Sequence, residues 1–243
     1  MRLYFRPFLG LTVFTIISLV ILVGLGTWQY QRLQWKTSFL QEVETAVTSA
    51  PLTSIEDVEA ALEQSRPVDF RRIGLQANII EGQTPFLVYS CEKTVLSWRP
   101  FLAVEQSGRA VFAAFKPIPD SERDSIPFSV AETVTLAGYI RLARDAGKGV
   151  AKSTAETNRW FSFNPMPDSA NWSDRIPGGA DMRFYIDVEP SIMSAKDLPL
   201  KRPNIRNNHF DYMLTWYGLA IALFIIYLIL HAQRGRLSWK DNA

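Results

Sequence analysis

The 243-residue chain carries one cysteine, Cys91, and two histidines, His209 and His231. A lone cysteine excludes an intrachain disulfide and any multi-cysteine zinc or iron–sulfur site. Cys91 reads as a small core residue. There is no C-x-x-C-H run, so covalent c-type haem attachment is excluded too. Neither histidine stands in a metal-ligand or triad spacing, and no G-x-S-x-G or P-loop occurs. With two histidines, acid–base chemistry would fall to carboxylates, and no carboxylate pair stands out, so an independent enzyme is not expected. A net charge of +2 gives no basic footprint for nucleic acid.

Charge is wholly missing from two stretches, Phe8 to Gly26 and Tyr212 to Leu230, each 19 residues long. As helices they would span about 28 Å, close to the hydrocarbon thickness of a bilayer. A segment in water-free lipid must satisfy its own backbone, so both are expected to be transmembrane helices. A cleaved signal peptide is a poor description of the first: its apolar run is too long, and Trp28, Gln29 and Tyr30 follow directly without a small-x-small cleavage site. The expected organisation is a tail at 1–7, a span at 8–26, a globular domain at 27–211, a span at 212–230 and a tail at 231–243. The tails carry Arg2, Arg6, Arg234, Arg236 and Lys240 against Asp241, net +4, while the segment between the spans has 21 basic and 23 acidic residues, net −2. That asymmetry favours cytoplasmic tails and a domain outside the cytoplasm. The short amino-terminal run before the span leaves no room for a transit peptide, so a bacterial inner membrane with a periplasmic domain is expected rather than a mitochondrial inner membrane.

Helical character should continue past the first span, because Thr27 to Ala46 has no Gly or Pro, and break near Ser49-Ala50-Pro51. Ser54 suits an N-cap for a short helix with Ile55, Val58 and Leu62 on one face, ended by Pro67. Short apolar runs follow at Phe70 to Ile80, Pro85 to Ser90, Pro100 to Glu105 and Ala110 to Ile118. Val134 to Leu142 and Arg183 to Val188 alternate as strands do. Asp145 to Gly149 and Asp174 to Asp181 read as long loops. The fold class is a membrane protein of α+β type: two transmembrane helices flanking an extramembrane antiparallel β-sheet or barrel-like domain with one or two helices.

Aromatic, amide, basic and imidazole side chains gather where the spans meet this domain. The first span exits through Gly26-Thr27-Trp28-Gln29-Tyr30-Gln31-Arg32, and Trp28, Arg32 and Trp35 share a helical face. The second is entered through Asn207-Asn208-His209-Phe210-Asp211-Tyr212, and His209, Tyr212 and Trp216 share another. An interfacial belt of anchoring aromatics and snorkelling cations explains most of this composition, but not the Asn-Asn-His run. A neutral imidazole flanked by aromatics and guanidinium groups also suits a haem.

The run GTWQYQRLQWK resembles the first signature of the Surfeit locus protein 1 family, Gly-x-Trp-Gln-x-x-Arg-x-x-Trp-Lys, and NNHFDYMLTWYGLA resembles its second, Asn-Asn-His-x-x-Tyr-x-x-Thr-Trp-(Phe/Tyr)-x-Leu-Ala. Between them the likeness is looser: DFRRIGLQA is similar to the family's first strand, VTLAGYIRL to its Gly-x-x-Arg strand, and Asn171-Trp172 approximates its Asn-x-Trp segment. Ala113 to Pro119 departs from the usual Asn-Arg-Gly-Trp-(Val/Ile)-Pro run and keeps only Ile118-Pro119, which marks a divergent member. The resemblance implies an assembly factor for haem-copper terminal oxidases, notably cytochrome c oxidase, that binds haem a and helps deliver it to subunit I alongside other assembly factors. It implies His209 as the haem-linked ligand, with Trp216 seven positions on. Tyr212 and Trp28 would pack around the ring, and helix geometry offers Arg32 to a propionate. His231 lies 22 residues further along the helix, about 33 Å away, and cannot share that iron. The alternative is a haem-free membrane scaffold that stabilises an oxidase assembly intermediate.

Overall fold

The computed structural model describes residues 2–92, 95–125, 133–144, 157–163, 170–203 and 206–240. The loop expected at Asp145 to Gly149 lies outside them. The chain divides into two compact units, one of residues 1–41 and 204–243 and one of residues 42–203.

The first unit holds two helices long and apolar enough to cross a membrane. Helix α1 runs from Leu9 to Thr48 without interruption, as the absence of Gly and Pro after Thr27 predicts, and its last turns continue into the second unit. It ends where side chains take over carbonyls: Thr48 Oγ1 donates to Glu44 O at 2.7 Å, Ser49 Oγ donates to Thr45 O at 2.6 Å, and Pro51 lies beyond. The second span is the helix His209–Gln233. Gly235, at φ +64°, closes it: Arg236 N donates to His231 O at 2.8 Å and Gly235 N to Ala232 O at 3.0 Å. This is the paired-bond glycine stop that satisfies orphan carbonyls. The reversed chain then forms a strand, Leu237–Lys240, antiparallel to an amino-terminal strand, Arg2–Phe5. Large apolar side chains such as Ile17, Val20, Ile221 and Ile226 are exposed around both helices. Such a surface is costly in water and ordinary in lipid.

The second unit opens with α2, Ile55–Glu63. Ser54 Oγ accepts from Asp57 N at 3.0 Å, and Asp57 in turn accepts from Thr53. Hydrogen bonding from Ser54 first, and from Thr53, holds the Asp57 carboxyl below its ordinary value. The contribution of this cap is therefore complete at neutral pH and fades as pH falls through the lowered value. Ile55, Val58 and Ala61 bury the inner face.

The strands are β2 (Arg72–Ile79), β3 (Phe86–Glu92), β4 (Val95–Gln106), β5 (Arg109–Ala114), β6 (Ile118–Pro119), β7 (Thr133–Leu142) and β8 (Asp181–Val188), with β1 and β9 being the terminal pair. A short helix, α3, covers Ala170–Asp174, and the second span is α4. The sheet runs β2-β7-β8-β5-β4-β3, with β6 on β4 and a further β2–β4 pairing that closes the path into a ring of strands. Every pair is antiparallel except β5–β8, so the sheet is mixed. β4 begins five residues before its expected start. Pro100 gives no N–H to the ladder, but its carbonyl accepts from Phe115 N at 2.9 Å and the strand passes through it. The run expected at Ala110 to Ile118 is split by Lys116-Pro117 into β5 and β6. Gly178 and Gly179, both at positive φ, shape the Asp174 to Asp181 loop, which Ser173 pins by exchanging bonds with Ala180 at 2.9 and 3.0 Å.

One core cluster joins α2 to β2, β5, β7 and β8 through residues such as Ile73, Ile140 and Ile186. A second is aromatic: Trp172, fully buried, stacks on Phe86 at 4.2 Å and meets Trp160 edge-on at 5.1 Å. Asp69 ties the end of β7 to the start of β2. Its carboxylate accepts from Arg141 Nε at 3.1 Å, from Leu142 N at 3.2 Å and from Arg144. Phe70, held at φ +69°, lies under the Arg141 guanidinium at 4.0 Å. For a bulky side chain that backbone conformation is unfavourable and needs such fixing. Asp69→Ala is expected to lower stability by about 1–3 kcal/mol, because the buried carboxylate takes with it three charge-assisted bonds, to Arg141, the Leu142 N–H and Arg144. Denaturant unfolding followed by tryptophan fluorescence measures this, and an unchanged midpoint would remove Asp69 from the account.

Candidate functional site

The two long helices of the first unit are antiparallel neighbours, joined by hydrogen bonds at several levels. Phe8 N donates to His231 Nε2 at 3.2 Å, Thr12 Oγ1 bonds Tyr227 Oη at 2.8 Å, Thr27 Oγ1 bonds Tyr217 Oη at 3.1 Å, and His209 Nδ1 bonds Gln29 Oε1 at 2.7 Å. The less exposed positions of α1, among them Thr15, Leu19, Leu22, Gly26, Gln29 and Leu33, follow steps of three and four. Met213, Trp216, Ala220, Leu223 and Tyr227 do the same on α4. Gly26 belongs to this seam because a Cβ there would come within 2.7 Å of the Tyr217 ring.

At the His209 end of the helix pair the seam opens into a pocket of about 390 Å³ lined by Gln29, Lys36, Arg206, Asn208, His209 and Tyr212. Gln29 is buried, and its carbonyl oxygen can only accept. In its neutral form His209 therefore donates from Nδ1 and keeps the Nε2 lone pair toward the pocket. Fixing one ring nitrogen to an acceptor so that the other can coordinate is how metal-binding imidazoles are ordinarily prepared. Lys36 donates to Arg206 O. With its amide oxygen facing Arg206, Asn208 accepts from Nε and Nη2 at 2.8 Å each. The neighbouring Asn207 Oδ1 is buried without a hydrogen-bond partner among the described residues. Another cavity, of about 330 Å³ beside Gln83, Asn158 and Arg175 in the second unit, has no imidazole or carboxylate in its wall.

Of the residues singled out in the sequence, His209 and Tyr212 come together in this pocket. Trp216 lies two turns along the same helix, half-buried in the seam, and is not in the wall. Trp28 is 53 % exposed on a different face of α1 from Gln29. The Arg32 guanidinium sits 4.7 Å over the Trp35 ring, away from the pocket wall. Gln29, Lys36 and Arg206 line the wall; Gln29 and Lys36 stand in the first signature, but sequence reasoning gave none of the three a place in the site. The signal for the first two was present: Gly26, Gln29, Leu33 and Lys36 share a face at steps of three and four, and Gly26 marks the face that meets a neighbour.

His231 is placed quite differently. It is fully buried, donates from Nδ1 to Tyr227 O at 2.9 Å, and accepts the Phe8 N–H at Nε2. Phe5, Phe8 and Tyr227 surround it with ring centroids 4.2–5.5 Å away. Both of its nitrogens are used, so it has no lone pair to offer a ligand.

The molecule is thus a membrane protein in which two apolar helices flank a mixed-sheet domain and, among the described residues, His209 Nε2 is left without a partner in a polar pocket. Residues 16–221 match the SURF1 family, and the chain belongs to that family. It is 26 % identical over 231 residues to the SURF1-like protein of Rickettsia conorii, covering 88 % of each chain. It is 25 % identical to Surfeit locus protein 1 of Homo sapiens over 228 residues, covering 82 % of this chain and 70 % of the human one, and similarly related to the mouse protein.

The two histidines should respond unequally to the same change. His231→Ala is expected to destabilise the helix pair by about 2 kcal/mol or more, since a buried N–H and a carbonyl lose their partners. His209→Ala, losing one half-exposed bond, should cost about 1 kcal/mol or less. Thermal unfolding in detergent compares them; equal losses would contradict the division of roles.

Proposed function

We propose that this protein is an oxidase assembly factor that holds haem a transiently on His209 and assists its insertion into subunit I of a cytochrome c oxidase. Membership of the SURF1 family, a family of cytochrome oxidase assembly factors, supports the role in oxidase assembly. The observation that carries the finer reading is the Gln29–His209 bond, which orients the imidazole and leaves Nε2 toward a pocket.

The donor set fits such a group. Among the described residues no cluster of three or more His, Cys, Asp or Glu could hold a bare metal ion. One imidazole suffices only for a metal that brings the rest of its ligands with it, and a haem supplies an iron already ringed by four nitrogens. His209 would ligate the iron through Nε2, Gln29 holds the imidazole, and Tyr212 would offer ring surface from the same helix. The pocket is an open groove of about 390 Å³, at the lower end of the range for ligand sites. An open, singly ligated site suits a carrier that must release what it holds. We place the protein in a bacterial plasma membrane as a two-span protein, with residues 42–203 on the periplasmic side and its basic tails in the cytoplasm; relatives in Rickettsia and the charge asymmetry support this.

Full-length protein produced with haem a should carry an imidazole-ligated absorption spectrum that His209→Ala abolishes. Gln29→Leu should keep the spectral type while weakening haem affinity by about 10–100-fold, as loss of a partner to a ligating imidazole does. Haem that remains unchanged on the His209→Ala protein would refute the ligand assignment. Co-purification of oxidase subunits without any pigment would instead favour a haem-free scaffold.

A further inference from the structure

The pocket wall holds two cations. Lys36 comes from α1 and Arg206 from the segment before α4, and among the described residues neither forms an ion pair with a carboxylate. Some other cations face carboxylates, as Arg99 and Lys201 face Asp187 and Arg202 faces Glu44 at 2.7 Å, and others such as Arg32, Arg123 and Arg175 lie over aromatic rings; Lys36 and Arg206 instead meet neutral oxygen acceptors in a pocket wall. Lys36 spends one of its three protons on the Arg206 carbonyl, and Arg206 spends Nε and one Nη2 proton on Asn208. Each cation is thereby held in place by a neutral acceptor, with donors left over and its charge intact. These two cations make the wall net positive beside the His209 ring.

We infer that Lys36 and Arg206 bind the carboxylates of the same ligand whose metal His209 coordinates, so that the pocket selects an acidic metallo-macrocycle over a neutral one. This rests on the haem reading above and adds what orients the ligand in the groove. Two carboxylates on one edge of a ring and a metal at its centre are matched by two cations and one imidazole on one wall. Charge-assisted bonds to carboxylate are the stronger kind, and a guanidinium adds directional donors that an ammonium lacks. The assignment moves the propionate contact from Arg32, whose guanidinium lies on Trp35, to Lys36, four positions along the same helix.

The competing use of these cations is the phosphate of lipid headgroups, which needs no carboxylate on the ligand. Titration of the full-length protein in detergent with haem a and with its dimethyl ester, followed by absorption, separates the two. The wild type should prefer the free acid by about tenfold. Lys36→Gln combined with Arg206→Gln should bring that ratio close to one while the His209-dependent spectrum stays, and Lys36→Arg alone should retain the preference. Equal binding of acid and ester by the wild type, or a preference the double substitution leaves untouched, overturns the inference while leaving the haem reading intact. Failure of haem to bind in a His209-dependent way removes both.

Discussion

A hydrogen bond of 2.7 Å between Gln29 and His209 decides what the site can do, and it exists because two apolar helices run antiparallel with their polar residues in one seam. In lipid a polar group outside that seam has no partner, so the seam collects them: Thr12 with Tyr227, Thr27 with Tyr217, Phe8 N–H with His231. Each interhelical bond is individually small, about 0.6 kcal/mol on average in membrane proteins. Together they fix the rotation and stagger of the helices. His209 meets Gln29 at one end because His231 meets Phe8 at the other, 22 residues along the same helix.

The two histidines show how placement converts one side chain into two devices. His231 is enclosed by aromatic rings and has both nitrogens in use, beside a glycine stop that folds the carboxy-terminal strand back onto the amino-terminal one. It holds the ends of the helices together. His209 stands at the first turn of α4, half-buried, with one nitrogen in use. It holds its own orientation and leaves a lone pair facing a cationic wall. The 42–203 unit is organised by different means, through a closed path of strands, an aromatic cluster around Trp172 and the Asp69 junction.

Much of the organisation could be read from residues. The charge-free lengths located both spans, the Gly-poor stretch after Thr27 foretold the long α1, and Ser54 marked the start of α2. Strands with clean alternation, β7 and β8, were found within two residues of their ends. β4 was cut short because Pro100 reads as a boundary, although its carbonyl still serves the ladder. The parallel β5–β8 pair was not legible, since local alternation says nothing of which distant strand lies alongside. At the site, His209 and Tyr212 were found through the second signature. The partner face on α1 was read one position off. Trp28, Arg32 and Trp35 share a face as well as Gln29, Leu33 and Lys36 do, and only the neighbouring helix decides which one is covered. Aromatic bulk drew attention to the outward face, where small Gly26 was the better guide.

The central claim is that Gln29 takes the Nδ1 proton of His209 and leaves Nε2 as the nitrogen that faces the pocket. Nitrogen NMR of the full-length protein labelled on histidine, in lipid and without haem, tests it most directly, with the His209 signals assigned by their loss in His209→Ala. The account predicts a protonated Nδ1 and an unprotonated Nε2 for His209, with the Gln29→Leu substitution releasing that preference. A His209 ring protonated on Nε2, or one indifferent to Gln29, would contradict it.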